Sequence, residues 1–168
     1  MQVLILVIFF LFSTISFAED SMGDKPVYFK DYQAIFAYIA DREGVDTDPN
    51  TIIELAADSS IEYDRESKDL RIIITANYIN KKESKGVNEI RGASGNGCFY
   101  IFESKRNGYN LIGILEGNGY KKISREGQEQ YSTSWHMSAF EYGETIYQFN
   151  GKVFKAISHR NVKDESSL

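Results

Sequence analysis

Cys98-Phe-Tyr-Ile-Phe102, Tyr109-Asn-Leu-Ile-Gly-Ile-Leu115, Glu144-Thr-Ile-Tyr-Gln-Phe149 and Lys152-Val-Phe-Lys-Ala-Ile157 are short apolar and aromatic runs in the stretch from Asn96 to Arg160. What separates them decides the fold. Four Asn-Gly pairs punctuate the stretch, at Asn96-Gly97, Asn107-Gly108, Asn118-Gly119 and Asn150-Gly151. A two-residue type I′ turn needs positive φ at both central residues, which Asn tolerates and Gly adopts freely. Runs of strand length between such pairs predict an antiparallel meander of about five to seven strands.

Tyr131 to Phe140 is the most regular of these strands. Tyr131, Thr133, Trp135, Met137 and Ala139 fall on one face, and Ser132, Ser134, His136 and Ser138 on the other. Alternation of this kind predicts a half-buried strand with Trp135 and Met137 in the core. The last hairpin, Glu144–Phe149 with Lys152–Ser158 around Asn150-Gly151, follows from the same logic.

Working outward, Leu70 to Ile79 is β-branched and nearly continuous in apolar residues, which predicts a strand buried on both faces. Ile61-Glu-Tyr63 either closes a helix or begins a strand. Arg91 to Gly97 reads as a loop leading into the meander. From Phe29 to Arg42 the apolar residues Phe29, Tyr32, Ile35, Phe36 and Ile39 recur at helical spacing, and Gly44 is placed to end the helix. Asp48-Pro49-Asn50 opens a short second helix through Asp58, with Thr51 and Glu54 at capping-box spacing. The expected class is α+β, with N-terminal helices packed on the meander. The expected division is a flexible segment 19–28, one domain 29–160 and a disordered tail 161–168.

Residues 1–18 are set apart. Met1 to Phe12 is unbroken and apolar, Ser16-Phe17-Ala18 places small residues two apart, and Glu19-Asp20 follows. This is the pattern of a secretory signal peptide cut after Ala18, leaving no transmembrane segment and a soluble periplasmic or extracellular product. Cys98 is the single cysteine, so no disulfide forms within the chain. Its apolar neighbours favour a buried thiol over an intermolecular bridge.

Charge divides the chain. Glu19 to Asp69 holds 14 acidic and 5 basic residues, net −9, whereas Leu70 onward is net +4. No cluster of Lys and Arg marks a nucleic-acid surface. An acidic half suits either a helical layer or a face for a cationic partner, reached by electrostatic steering.

The candidate chemistry is sparse. His136 shares a strand face with Ser134 and Ser138, beside Glu141 and Tyr142, and these five residues form the candidate binding face. Neighbours two apart on a strand point the same way yet stand too far apart for a nucleophile and its base. Asp46, Asp48 and Asn50 place oxygens as a calcium loop begins, but Thr51 stands where Gly is needed and Ala57 where a bidentate Glu is needed. Capping of a helix N-terminus accounts for the same three residues. No cofactor is expected: the Gly92–Gly97 loop lacks the Lys-Ser/Thr of a phosphate-binding loop.

The segment Tyr109 to Tyr120, with Ser134-Trp-His-Met-Ser-Ala-Phe-Glu141 and Thr145-Ile-Tyr-Gln-Phe-Asn-Gly151, resembles uncharacterised small exported bacterial proteins. Those carry a strand-rich module that closes with an aromatic–X–Phe–Asp/Asn–Gly hairpin. The resemblance covers less than half of the chain. It implies export and the closing hairpin, and transfers no activity or site residue. Together with the abundant Tyr of the meander, the expectation is a non-enzymatic exported binding protein of inhibitor or immunity type, recognising another envelope protein. A carboxylate-dependent envelope hydrolase and a structural envelope protein are the alternatives.

Overall fold

Phe29 decides how the chain enters the fold. The structure is a computed structural model describing residues 23–67, 69–76, 97–125, 127–138 and 141–163. The N-terminal run read as a signal peptide, the predicted strand beyond Ala76, the predicted loop up to Asn96, and Ala139 and Phe140 therefore lie outside the described residues. Helical spacing places Phe29 in the first helix, but it is the last residue of strand β1 (Val27–Phe29), opposite Tyr109. The helix α1 starts three residues later, at Tyr32, and runs to Arg42. Asp31 enforces the later start: its backbone is extended and its carboxylate accepts the Ala34 N–H at 2.9 Å. The Phe29 ring still packs on Tyr38 and Phe102, so it keeps the spacing of a helical stripe without being helical. Gly44, at φ +70°, turns the chain away after the helix end, a conformation that costs glycine little.

The second helix, α2 (Pro49–Asp58), begins where Asp48-Pro49-Asn50 predicts, with Asp48 as its cap. Thr51 lies inside it and is no cap: its N–H and hydroxyl both donate to the Asp48 carboxylate, so the Thr51–Glu54 capping box does not form. Ile61-Glu-Tyr63 resolves as strand, within β2 (Ser60–Asp64). It pairs with β3 (Arg71–Thr75), which pairs in turn with β4 (Gly97–Lys105), and that with β5 (Gly108–Gly117). The first sheet has the antiparallel order β1-β5-β4-β3-β2. Every residue of β3 is buried, as its apolar run predicts. One cluster joins Ile35, Phe36, Ile39 and Leu55 of the helices to Ile72, Ile74, Tyr100, Phe102 and Leu111 of the sheet.

The second half is not one continuous meander. Nine strands are present among the described residues, divided between two sheets, against the five to seven expected in one. The chain changes sheet where the sequence suggests a hairpin, at Asn118-Gly119. Gly117, at φ +155°, ends β5, and the Asn118 N–H donates to the Ser134 carbonyl at 2.8 Å. The strand that follows, β6 (Gly119–Arg125), pairs forward with β7 (Gln128–Ser138) and not back with β5. β8 (Glu141–Phe149) and β9 (Phe154–Lys163) complete a second antiparallel sheet, β6-β7-β8-β9.

The last hairpin is present with a longer turn. Phe149 pairs with Phe154, and Asn150 Oδ1 accepts from the N–H groups of Lys152 and Val153 at 3.0 Å each. β9 continues through Asn161, Val162 and Lys163, residues expected in a disordered tail, just as β1 takes up Val27 and Tyr28 from the segment expected to be flexible.

Between the sheets lies a second core: Ile73, Phe99, Ile101, Ile112 and Leu115 facing Tyr131, Tyr147 and Phe154. Full burial of an aliphatic or aromatic side chain of this size stabilises by about 1.5–3 kcal/mol, so this seam holds the sheets together. A polar tie reinforces one end. Asp64 accepts from Lys122 Nζ at 2.7 Å and from the Tyr131 hydroxyl at 2.9 Å. Burial alone raises the Asp64 carboxyl, but these bonds and the Glu66 N–H together hold it below its ordinary value. Arg71, buried beside them, pairs with Glu129 and lies over the Phe149 ring at 4.6 Å.

Candidate ligand-binding cavity

At the other end of the seam the sheets part around an open cavity of about 440 Å³. Glu43, Gly97, Cys98, Glu116 and Gly117 line it from the first sheet and the end of α1. Trp135, Thr145, Tyr147, Ala156 and His159 line it from the second. Two pairings explain why it opens there. Gly97 stands opposite Gly117 in the β4–β5 ladder, so no side chain fills the seam at that point. Trp135 stands opposite Gly143, and a Cβ on Gly143 would fall 2.1 Å from the indole Cε2. The missing methyl leaves room for the indole to lie across β8 and stack on His159, at 5.0 Å between centroids and 21° between planes.

A bulge brings His159 to this face. Tyr147 pairs with Ala156 but Ile146 pairs with Ser158, so Ile157 is an extra residue without a register partner, 54% exposed. One inserted residue reverses the facing of everything beyond it. Simple alternation from the inward Phe154 would turn His159 outward. With the bulge it lies opposite Thr145, and its Nδ1 shares a hydrogen bond of 2.8 Å with the Thr145 hydroxyl.

Cys98 and Glu116 are paired in register, on the face of the first sheet that carries Tyr100. Glu43, just past α1, accepts a hydrogen bond from the Tyr100 hydroxyl. Burial, then the charges of Glu43 and Glu116, push the Cys98 thiol up to about 12. It is a free thiol, and at neutral pH it stays protonated and a poor nucleophile. Tyr147, whose hydroxyl is raised mainly by burial, receives the Glu116 N–H at 3.2 Å. The walls are thus aromatic and small, with two carboxylates at the margin.

Of the candidates named from the sequence, Ser134, His136 and Tyr142 lie on the opposite, outer face of the second sheet, whereas Glu141 alternates with Tyr142 and shares the inner face of Gly143, Thr145 and Tyr147. Ser134 donates to Asn118 Oδ1 at 2.9 Å. His136 is exposed and pairs in register with Tyr142, itself 39% exposed. Glu141 begins β8 opposite Ser138, whose side chain lies outside the described residues. Glu144, opposite Ser134, accepts from Ser132 at 2.6 Å and pairs with Arg160, and these bonds, Ser132 foremost, hold its carboxyl below its ordinary value. The structure thus brings His136 and Tyr142 side by side, and none of the described members of the set lines the cavity.

Asp46, Asp48 and Asn50 are used in turn and cap. Asp48 Oδ1 accepts from the Asn50 and Thr51 N–H groups at 2.9 and 3.2 Å, and Asp46 Oδ1 accepts from the Asp48 N–H at 3.1 Å. Among the described residues no three His, Cys, Asp or Glu side chains are grouped to hold a metal ion. Nor, among them, is any helix long and apolar enough to cross a membrane. Comparison of the chain with protein-family models, with curated proteins and with solved structures gives no match.

Proposed function

We propose that this is an exported, non-catalytic binding protein that recognises another protein, in the manner of an inhibitor or immunity protein, and receives one of its side chains in the cavity between the sheets. The observation that carries this is the half-buried Trp135 stacked on His159 in the wall of an open cavity. An aromatic held rigid by its neighbour offers contact area at little conformational cost, as recognition surfaces do. The reactive groups around it are quiet: the Cys98 thiol is pushed up to about 12 and His159 Nδ1 is held by Thr145. The apolar N-terminal run ending in Ser16-Phe17-Ala18 supports export, and the acidic half up to Asp69 supports fast encounter with a basic partner.

The test is Ala156→Phe, which fills the cavity from an exposed strand position. Residues 19–168 are immobilised and envelope extract is passed over wild type and variant at low and high salt. A stoichiometric partner retained by wild type and lost with Ala156→Phe, at unchanged melting temperature, is the expected result. Equal retention by both proteins rules out the cavity as the site.

A further inference from the structure

Resting on the binding role proposed above, we infer that the group taken into the cavity is a flat cation, an alkylguanidinium. Three features of the walls converge on it. Glu43 and Glu116 line the cavity on the face of the first sheet that carries Cys98 and Tyr100, beside the Gly97–Gly117 pair, and among the described residues the lining includes no Lys or Arg. Arg42 is close enough to act on the Cys98 and Tyr100 protons, and offsets one of the two carboxylates. Among the described residues one negative charge therefore remains in excess.

The second feature is the aromatic wall. Trp135 stacked on His159, with Tyr147 beside them, gives π-surface to a cation in a partly desolvated space. The third is shape. A guanidinium is planar, stacks on an indole and sheds water more readily than an ammonium, while its edge donors match a carboxylate. A gap opened by two facing glycines suits a thin plate better than a hydrated sphere. An anion would meet Glu43 and Glu116, and a neutral amide would leave them uncompensated.

Trp135 is the only tryptophan of the chain, so its emission reports the cavity directly. The full mature chain is titrated with ethylguanidinium, ethylammonium, propionamide and propionate, and with a capped Gly-Arg-Gly peptide against its citrulline counterpart. Saturable change is expected with ethylguanidinium and the arginine peptide, weaker with ethylammonium, and absent with the others. Glu116→Gln should weaken guanidinium binding about three- to tenfold, and Ala156→Phe should abolish it. Arginine peptide binding at least about tenfold tighter than ethylguanidinium would assign the cation to a polypeptide, and equal affinity to a free small molecule.

Equal saturation by propionamide, or indifference to Glu116→Gln, overturns the cation while leaving a cavity that binds. No response to any cationic probe also overturns it. If Ala156→Phe then leaves partner retention intact as well, the binding role fails separately.

Discussion

The Trp135 indole lies over Gly143 so closely that the two positions are sterically one: a single methyl on Gly143 would sit 2.1 Å from the ring. Gly143→Ala should therefore lift the indole off His159. The expected cost is about 1–3 kcal/mol from overpacking, read by urea unfolding, with a red-shifted Trp135 emission in the native state. An unchanged emission maximum would show that the indole does not rest there.

Asp64 ties the sheets through Lys122 and Tyr131 and is held below its ordinary value. A carboxylate depressed in the folded state stabilises the protein above its unfolded value, and the contribution disappears as pH falls through the folded value. Asp64→Asn should cost about 2 kcal/mol at pH 7. The gap to wild type should close below the ordinary carboxylate value of 3.8. A gap independent of pH would mean that the Asp64 charge is not what holds the sheets.

The Cys98 thiol is raised to about 12, so the native protein should resist iodoacetamide at pH 8, while the urea-unfolded chain reacts at the rate of a free cysteine. Mass spectrometry over time separates the two states. Rapid alkylation of native protein would contradict the desolvated environment assigned to this thiol.

Asp48→Ala removes the cap of α2 and should cost about 1 kcal/mol. Because Asp46 and Asp48 spend carboxylate oxygens on backbone N–H groups, millimolar calcium should leave the melting temperature of wild type unchanged. A calcium-dependent rise would restore the loop as a metal site.

Local signals were legible in the sequence wherever one element accounts for them. Asp48 caps α2, the apolar run at β3 is buried on both faces, and the Asn150-Gly151 hairpin forms. Signals depending on a neighbouring element were not. Phe29 keeps helical spacing because it packs against the same core from a strand. Asn118-Gly119 has hairpin composition, but Gly117 fits under the Ser134 carbonyl, 2.5 Å from where its Cβ would be, and the chain crosses to a second sheet. The turn between β6 and β7 carries Gly127 at φ +76° without an Asn before it.

The cavity was hidden for the same reason. His159 reaches it only through the Ile157 bulge, and alternation counted along the strand assigns it to the wrong face. Gly143 opposite Trp135 was the one available hint: a strand position emptied beside the largest side chain.

The bulge at Ile157 has a further effect on how copies of the chain behave toward one another. Among the described residues β9 is a border strand of the second sheet, ten residues long, and a straight border of that length templates growth by strand addition. The extra residue bends it, with Lys155 and Arg160, paired with Asp24 and Glu144, on either side of the bend. An incoming β9 from another molecule would find no continuous ladder at the bulge. The residue that turns His159 inward thus also interrupts the straight edge that strand addition requires.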